Sequence, residues 1–154
     1  MFERDRASQH FGMRVEAVSP GCATVTMTVT TEMCNGHGTV HGGAIFTLAD
    51  SAFAFACNSR DVATVAQHCT ITFVSPARDG ERLVAEAREA SLVGRFGIYD
   101  AVVRTPEGRT VALFRGNSAA VRGRVTEDAA AYGDYSGSSS SSNNAASENP
   151  KSGN

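Results

Sequence analysis

Three features of the 154-residue sequence predict an α+β fold, with one long buried helix against a sheet of five or six antiparallel strands. Apolar and polar residues alternate along much of the chain at the period of a half-buried strand. The joining stretches are short and rich in Gly and Pro, too short for crossover helices, so the strands must run antiparallel. One eighteen-residue run breaks the alternation and is apolar nearly throughout, as suits a helix covered on almost every face.

The clearest strand runs from Cys22 to Thr30, where Ala23, Val25, Met27 and Val29 interleave with four threonines. From Arg82 to Arg88, Leu83, Ala85 and Ala87 alternate with Arg82, Glu86 and Arg88. Weaker alternation covers 12–18, 63–74, 95–105 and 110–121, and the turns fall at Pro20-Gly21, Pro76 to Gly80, Gly94 and Pro106-Glu107-Gly108. The helix is expected over His41 to Asn58, a proline-free run rich in Ala, Leu and Phe, with two strands before it and the rest after. A membrane span is the rival reading of this run. It needs about 20 apolar residues, and this one is shorter and carries Asp50 at its middle.

The length suits one domain. Composition shifts after Val125, and a Ser/Asn/Gly-rich stretch without apolar periodicity follows. The expected division is a folded domain over 1–125 and a disordered tail over 126–154. Charged residues make up 19% of the chain, below the roughly 25% typical of soluble domains. Its only lysine is Lys151, so phosphate-loop and Schiff-base chemistry lack their residue in the domain. Residues 1–125 hold 13 arginines against 12 acids, and the pI is near 6.1; no nucleic-acid partner is expected. Cys22, Cys34, Cys57 and Cys69 form no CxxC pair, and Phe-Glu-Arg-Asp-Arg at 2–6 is no signal sequence. Reduced thiols filling core spaces in a cytoplasmic protein are expected.

Asp50 is the only charge between His41 and Asn58. Burying a carboxylate costs several kcal/mol unless it is paired or bonded. It is therefore either a catalytic base or nucleophile, or a structural group capping a loop or pairing with an arginine. Just upstream, Cys34-Asn35-Gly36-His37-Gly38-Thr39-Val40-His41-Gly42-Gly43 delivers a glycine-rich polar loop onto the helix N-terminus. Free N–H groups at the positive end of the helix dipole suit a developing oxyanion. A plain tight turn explains the glycines but not Asn35, His37 and His41. Gly42 and Asp50 lie eight residues apart, roughly 12 Å along a helix, too far to act on one carbonyl. If both serve one reaction, two subunits share the site.

Other motifs are weaker. His37-Gly-Thr-Val-His41 mimics a zinc-binding HExxH, but Gly38 stands in place of the glutamate and the flanking glycines oppose a helix. No metal and no cofactor is expected. The Gly36, Gly38 pair lacks the third glycine of a dinucleotide fingerprint and opens no βαβ unit. His10 and His68 lie outside the loop and read as surface or hydrogen-bonded residues, not ligands. Phe46, Phe53 and Phe55 read as core, with one ring free to line an acyl pocket.

The segment from Asn35 to Asn58 resembles the helix motif of hotdog-fold acyl-CoA thioesterases of the phenylacetic-acid-degradation (PaaI-like) type. Ser75-Pro-Ala, Gly94-Arg95, Tyr99-Asp100 and Phe114-Arg-Gly-Asn-Ser118 extend the likeness over about residues 10 to 122. The resemblance implies a hotdog fold, an acyl-CoA substrate and hydrolysis of phenylacetyl- or hydroxyphenylacetyl-CoA. It implies that Asp50 attacks the thioester or activates water. Gly42 would donate its N–H to the oxyanion with Gly43 adjacent, Asn35 and His41 would orient the thioester or water, and Ser51 would assist, where the family often has threonine. Arg78 and Arg95 are the candidates to meet CoA phosphates, against the ordinary reading of surface arginines. It also implies a homodimer with shared sites, assembled into a homotetramer. The rivals are a hotdog dehydratase, although His41 lies about 13 Å from Asp50 on the same helix, and a non-catalytic acyl-CoA sensor, for which no output module is seen.

Overall fold

A computed structural model describes residues 1–127 of the chain, so the expected disordered tail lies outside the described residues except for Thr126 and Glu127. Thr126 is held to the domain, its N–H donating to Asp61 at 3.0 Å.

Six strands form: β1 (Arg14–Ser19), β2 (Cys22–Thr28), β3 (Thr64–Phe73), β4 (Arg82–Val93), β5 (Phe96–Arg104) and β6 (Thr110–Ala120). They make one sheet in the order β1-β2-β4-β5-β6-β3, with every neighbouring pair antiparallel. Among the described residues two α-helices accompany them, α1 (Arg6–His10) and α2 (Gly42–Cys57), with two short 3-10 turns at Phe2–Arg4 and Thr31–Met33. Gly21 and Gly94 adopt positive φ at the β1–β2 and β4–β5 hairpins, as such tight turns require.

The helix α2 lies across the face of β2, β4 and β5, with β3 and β6 to one side. Its Ile45, Leu48, Phe53 and Phe55 are buried against Val25, Met27, Leu83, Tyr99, Val103 and Phe114. Each such side chain contributes about 1.5–3 kcal/mol on burial, so together they outweigh the several kcal/mol that one half-buried carboxylate costs. Phe53 sets how closely helix and sheet approach. Its ring carbons lie 2.9 Å from where a Cβ on Gly116 of β6 would stand.

Both ends of α2 are fixed. His41 caps the start with extended backbone, and its Nδ1 accepts the N–H of Gly43 at 2.9 Å. Asn58 closes the end. Its side-chain amide donates to Ala54 O and Thr64 O and its Oδ1 accepts Thr64 N–H, leading the chain straight into β3.

Two expectations need correction, and one element is new. The segment 6–10 forms a short helix, N-capped by Asp5, too brief for a periodic signal. The strand expected over 82–88 continues to Val93 through a bulge between Glu89 and Ser91. All four cysteines are free thiols, but only Cys57 is buried; the other three are partly exposed.

Candidate active site

The sequence from Thr31 to His41 folds back so that Asn35 and Thr39 pair, Asn35 N–H to Thr39 O at 2.8 Å, and His41 N–H meets Met33 O at 2.8 Å. Val40 N–H donates to Ala77 O at 2.9 Å, which holds the loop against the β3–β4 turn. This hairpin-like loop presents the first turn of α2. The carbonyl of His41 accepts the N–H groups of Ala44 and Ile45, and Nδ1 of His41 accepts that of Gly43. Among the described residues only the Gly42 N–H of this turn has no partner. With Nδ1 an acceptor, the proton of a neutral His41 ring sits on Nε2.

Asn35 does not project freely. Its Oδ1 accepts His37 N–H at 2.9 Å and its Nδ2 donates to Thr39 Oγ1 at 3.1 Å, an Asx-type arrangement that shapes the loop. Phe73, at the end of β3, covers Gly42. A Cβ there would lie 2.9 Å from the tip of its ring.

Two turns further along, Asp50 shares a partly exposed stripe of α2 with Phe46, Thr47 and Ala54. The spacing of three and four residues puts these on one helix face. No ion pair among the described residues involves Asp50. Among the described residues its one side-chain hydrogen bond comes from the thiol of Cys69 on β3, which donates to Oδ1 at 3.8 Å. Burial raises the Asp50 carboxyl above the ordinary carboxylate range, and the Cys69 contact partly offsets this. An unpaired carboxylate with raised proton affinity is a better base than a solvated one, which disfavours the structural alternative of a cap or arginine pair.

The thioesterase superfamily profile matches residues 37–112. Acyl-coenzyme A thioesterase PaaI of Escherichia coli K12 is 43% identical over 129 residues, covering 84% of this chain and 92% of that protein. The chain belongs to the thioesterase superfamily. The structure of the E. coli PaaI protein, from the phenylacetic acid degradation operon, overlays this thioesterase with a TM-score of 0.79 at 44% identity, over 80% of this chain and 90% of that one. A mutant of the phenylacetic acid degradation protein PaaI from Thermus thermophilus gives 0.73 at 38% identity, over 76% and 100%. The fold is the hotdog fold, and the PaaI-like resemblance holds over most of the chain.

Not every expected residue of the thioesterase joins Asp50. Ser51 turns into the core and its Oγ meets Ser8 Oγ at 2.9 Å. Ser8 gives its only hydroxyl proton to Asp5 Oδ2 at 2.6 Å, so the Ser51 proton points to Ser8. In this chain the Ser51 hydroxyl thus ties α1 to α2 and lies off the Asp50 stripe. Arg78 is exposed in the β3–β4 turn, next to Ala77 and so beside the loop that presents Gly42. Arg95 is exposed at the opposite end of the sheet, stacked at 5.0 Å over the Phe96 ring; one chain does not bring the two arginines together. Two residues escaped sequence reasoning, Cys69 and Phe73. Their only signal was their place on a strand whose position beside α2 depends on the sheet order. No helix among the described residues is long and apolar enough to cross a membrane.

Proposed function

We propose that this thioesterase hydrolyses aryl-acyl-CoA thioesters of the phenylacetyl- or hydroxyphenylacetyl-CoA type to the free acid and CoA, at sites shared by two copies of the chain. The observation that carries this reading is the unpaired Asp50 carboxylate on the open stripe of α2, combined with the unpartnered N–H of Gly42 at the head of the same helix.

Asp50 serves as nucleophile or as the base that takes a proton from water. Attack at the thioester carbonyl moves its electron pair onto oxygen, and the Gly42 N–H, at the positive end of the helix dipole, stabilises that charge. Collapse of the adduct breaks the C–S bond and expels the CoA thiolate, which takes up a proton. In the nucleophilic route, water then cleaves the acyl-aspartate anhydride. Asn35 and His41 set the loop and the first helical turn in place, and Gly43 adjoins the oxyanion donor.

The open edge of β3 supports a dimer. Ten residues long and free of proline, it leaves one row of backbone donors and acceptors unpaired, and Phe73 at its end is 51% exposed. Such an edge is a ready template for a second strand. Antiparallel pairing of two β3 edges would set the Phe73 end of one copy beside the Thr64 end of the other. Gly42 and Arg78 of one chain would then approach the Asp50 stripe and Arg95 of its partner, where the two arginines meet CoA phosphates. Phe96, Ile98 and Leu113, exposed on the sheet face away from α2, suit a second dimer and hence a homotetramer. Free thiols fit a reducing cytoplasmic setting.

The aryl preference rests on Phe46, one turn before Asp50, whose ring stands edge-on to Phe114 at 5.5 Å and continues through Phe53 to Tyr99. It also rests on the naming of the E. coli and Thermus relatives. A panel of aryl and aliphatic acyl-CoA esters, ranked by kcat/KM from released thiol, tests it. Aryl-acetyl esters lead the ranking if the reading holds; a preference for long aliphatic chains overturns the substrate class.

A further inference from the structure

Asp50 needs to be held at one angle without losing its reactivity, and the structure offers it a single weak donor. Thr47, the nearest hydroxyl on the same stripe of α2, gives its proton to Gly43 O at 2.8 Å. The strands beneath the helix present few titratable groups to it. The inward positions of β2, β4 and β6 carry Val25, Met27, Leu83, Ala85, Phe114 and Gly116. Tyr99 on β5 gives its hydroxyl proton to Glu89 at 3.1 Å. The thiol of Cys57, two turns after Asp50, turns back to Ala54 O.

Cys69 remains. It stands on β3 opposite Gly116, the position that Phe53 fills from the helix, and Phe53 lies three residues after Asp50. The same close approach that seats Phe53 thus brings β3 within reach of the carboxylate, at 3.8 Å from Sγ to Oδ1.

We propose that Cys69 is a positioning residue for thioester hydrolysis, holding the Asp50 carboxylate in its reactive orientation by donating the thiol proton to Oδ1. The inference rests on the assignment of Asp50 above. A thiol suits this task because it is a weak donor. It orients the carboxylate while leaving it basic, where an arginine or lysine would hold it ionised and unreactive. The arrangement keeps Cys69 itself protonated, since burial and the adjacent Asp50 charge push its thiol up to about 11. It therefore acts as donor across the physiological range and is not the nucleophile.

The test compares Cys69→Ala and Cys69→Ser with the unaltered protein and with Asp50→Asn, measuring kcat and KM for phenylacetyl-CoA from pH 4 to 9. The expected result is a kcat about five- to tenfold lower in Cys69→Ala with KM nearly unchanged, and an acid limb moved to higher pH because the charged carboxylate has lost its donor. Cys69→Ser regains a donor, recovers most of kcat and returns the acid limb to or below its original position. Unchanged kcat and acid limb in Cys69→Ala overturn the proposal, as does an equal loss in both variants with the acid limb unmoved. Asp50→Asn separates the two readings. If it is inactive while Cys69→Ala is normal, only the role of Cys69 falls; if it turns over normally, the assignment of Asp50 falls first.

Discussion

The ring of Phe53 occupies the space that a side chain on Gly116 would fill, its carbons 2.9 Å from the position of a Cβ. Gly116 lies inside β6 and pairs with both Cys69 and Tyr99, so a methyl group there pushes α2 off the sheet at the level of Asp50. Gly116→Ala should cost about 1–3 kcal/mol by overpacking, read from denaturant unfolding, and lower kcat as well. Unchanged stability would mean that the helix does not press on the sheet here.

Ser51 and Ser8 form a structural pair. Ser51→Ala should cost about 1 kcal/mol and leave kcat intact, whereas Ser8→Ala strands a buried hydroxyl and costs about 1–3 kcal/mol. A double-mutant cycle by thermal unfolding measures their coupling. A large fall in kcat for Ser51→Ala with normal stability would restore Ser51 to the reaction.

Asp50 sets opposite pH trends for activity and stability. Its carboxyl is raised above 3.8 in the folded protein, chiefly by burial. Between the unfolded and folded values the native state holds more protons, so the stability contribution falls as pH rises through that window and stays low above it. If Asp50 is the base or nucleophile, activity should need its ionised form and fall as pH drops through the raised value. Asp50→Asn should therefore unfold at a higher temperature than the unaltered protein at pH 7, with the difference shrinking as pH falls through the raised value toward 3.8, while losing turnover by orders of magnitude. Equal unfolding temperatures at pH 7 would contradict the burial cost.

Gly42 can be tested through its N–H alone. Proline is tolerated at the first position of a helix, and His41 already has the extended backbone that a following proline demands (φ −62°, ψ 133°). Gly42→Pro made together with Phe73→Ala, which clears the covering ring, should lower kcat about 10²- to 10³-fold relative to Phe73→Ala alone. Circular dichroism checks that α2 persists. A normal kcat in the double variant would remove Gly42 as the oxyanion donor.

Much of this could be read from the chain because the physical periods are distinct. The threonine alternation of 22–30 has no helical reading, and the run from His41 to Asn58 has no strand reading. Asp50 stood out because a lone charge in that run demands a use. Contacts set by sheet order could not be read. Cys69 reaches Asp50 only because β3 crosses to the far edge and pairs with β6, nearly fifty residues later in sequence. The bond of Ser51 to Ser8 could not be read because adjacent helical residues face different directions, and the short α1 left no periodic trace. The alternation stops at Arg88 although β4 continues, because the bulge between Glu89 and Ser91 shifts the register; Tyr99 and Arg60 bond the Glu89 carboxylate beside it.

The central claim is that Asp50 of one copy and Gly42 of another act on the same thioester. Mixing Asp50→Asn chains with Gly42→Pro/Phe73→Ala chains, unfolding them together and refolding tests it directly. Half of the dimers are then mixed, and one of their two sites carries an unaltered Asp50 and an unaltered Gly42. Thiol release should return to about a quarter of the activity of the unaltered protein, whose Gly42 and covering Phe73 the intact site keeps, from two nearly inactive parents. Activity that stays at the level of the parents after mixed dimers are shown to form would contradict a site shared between chains.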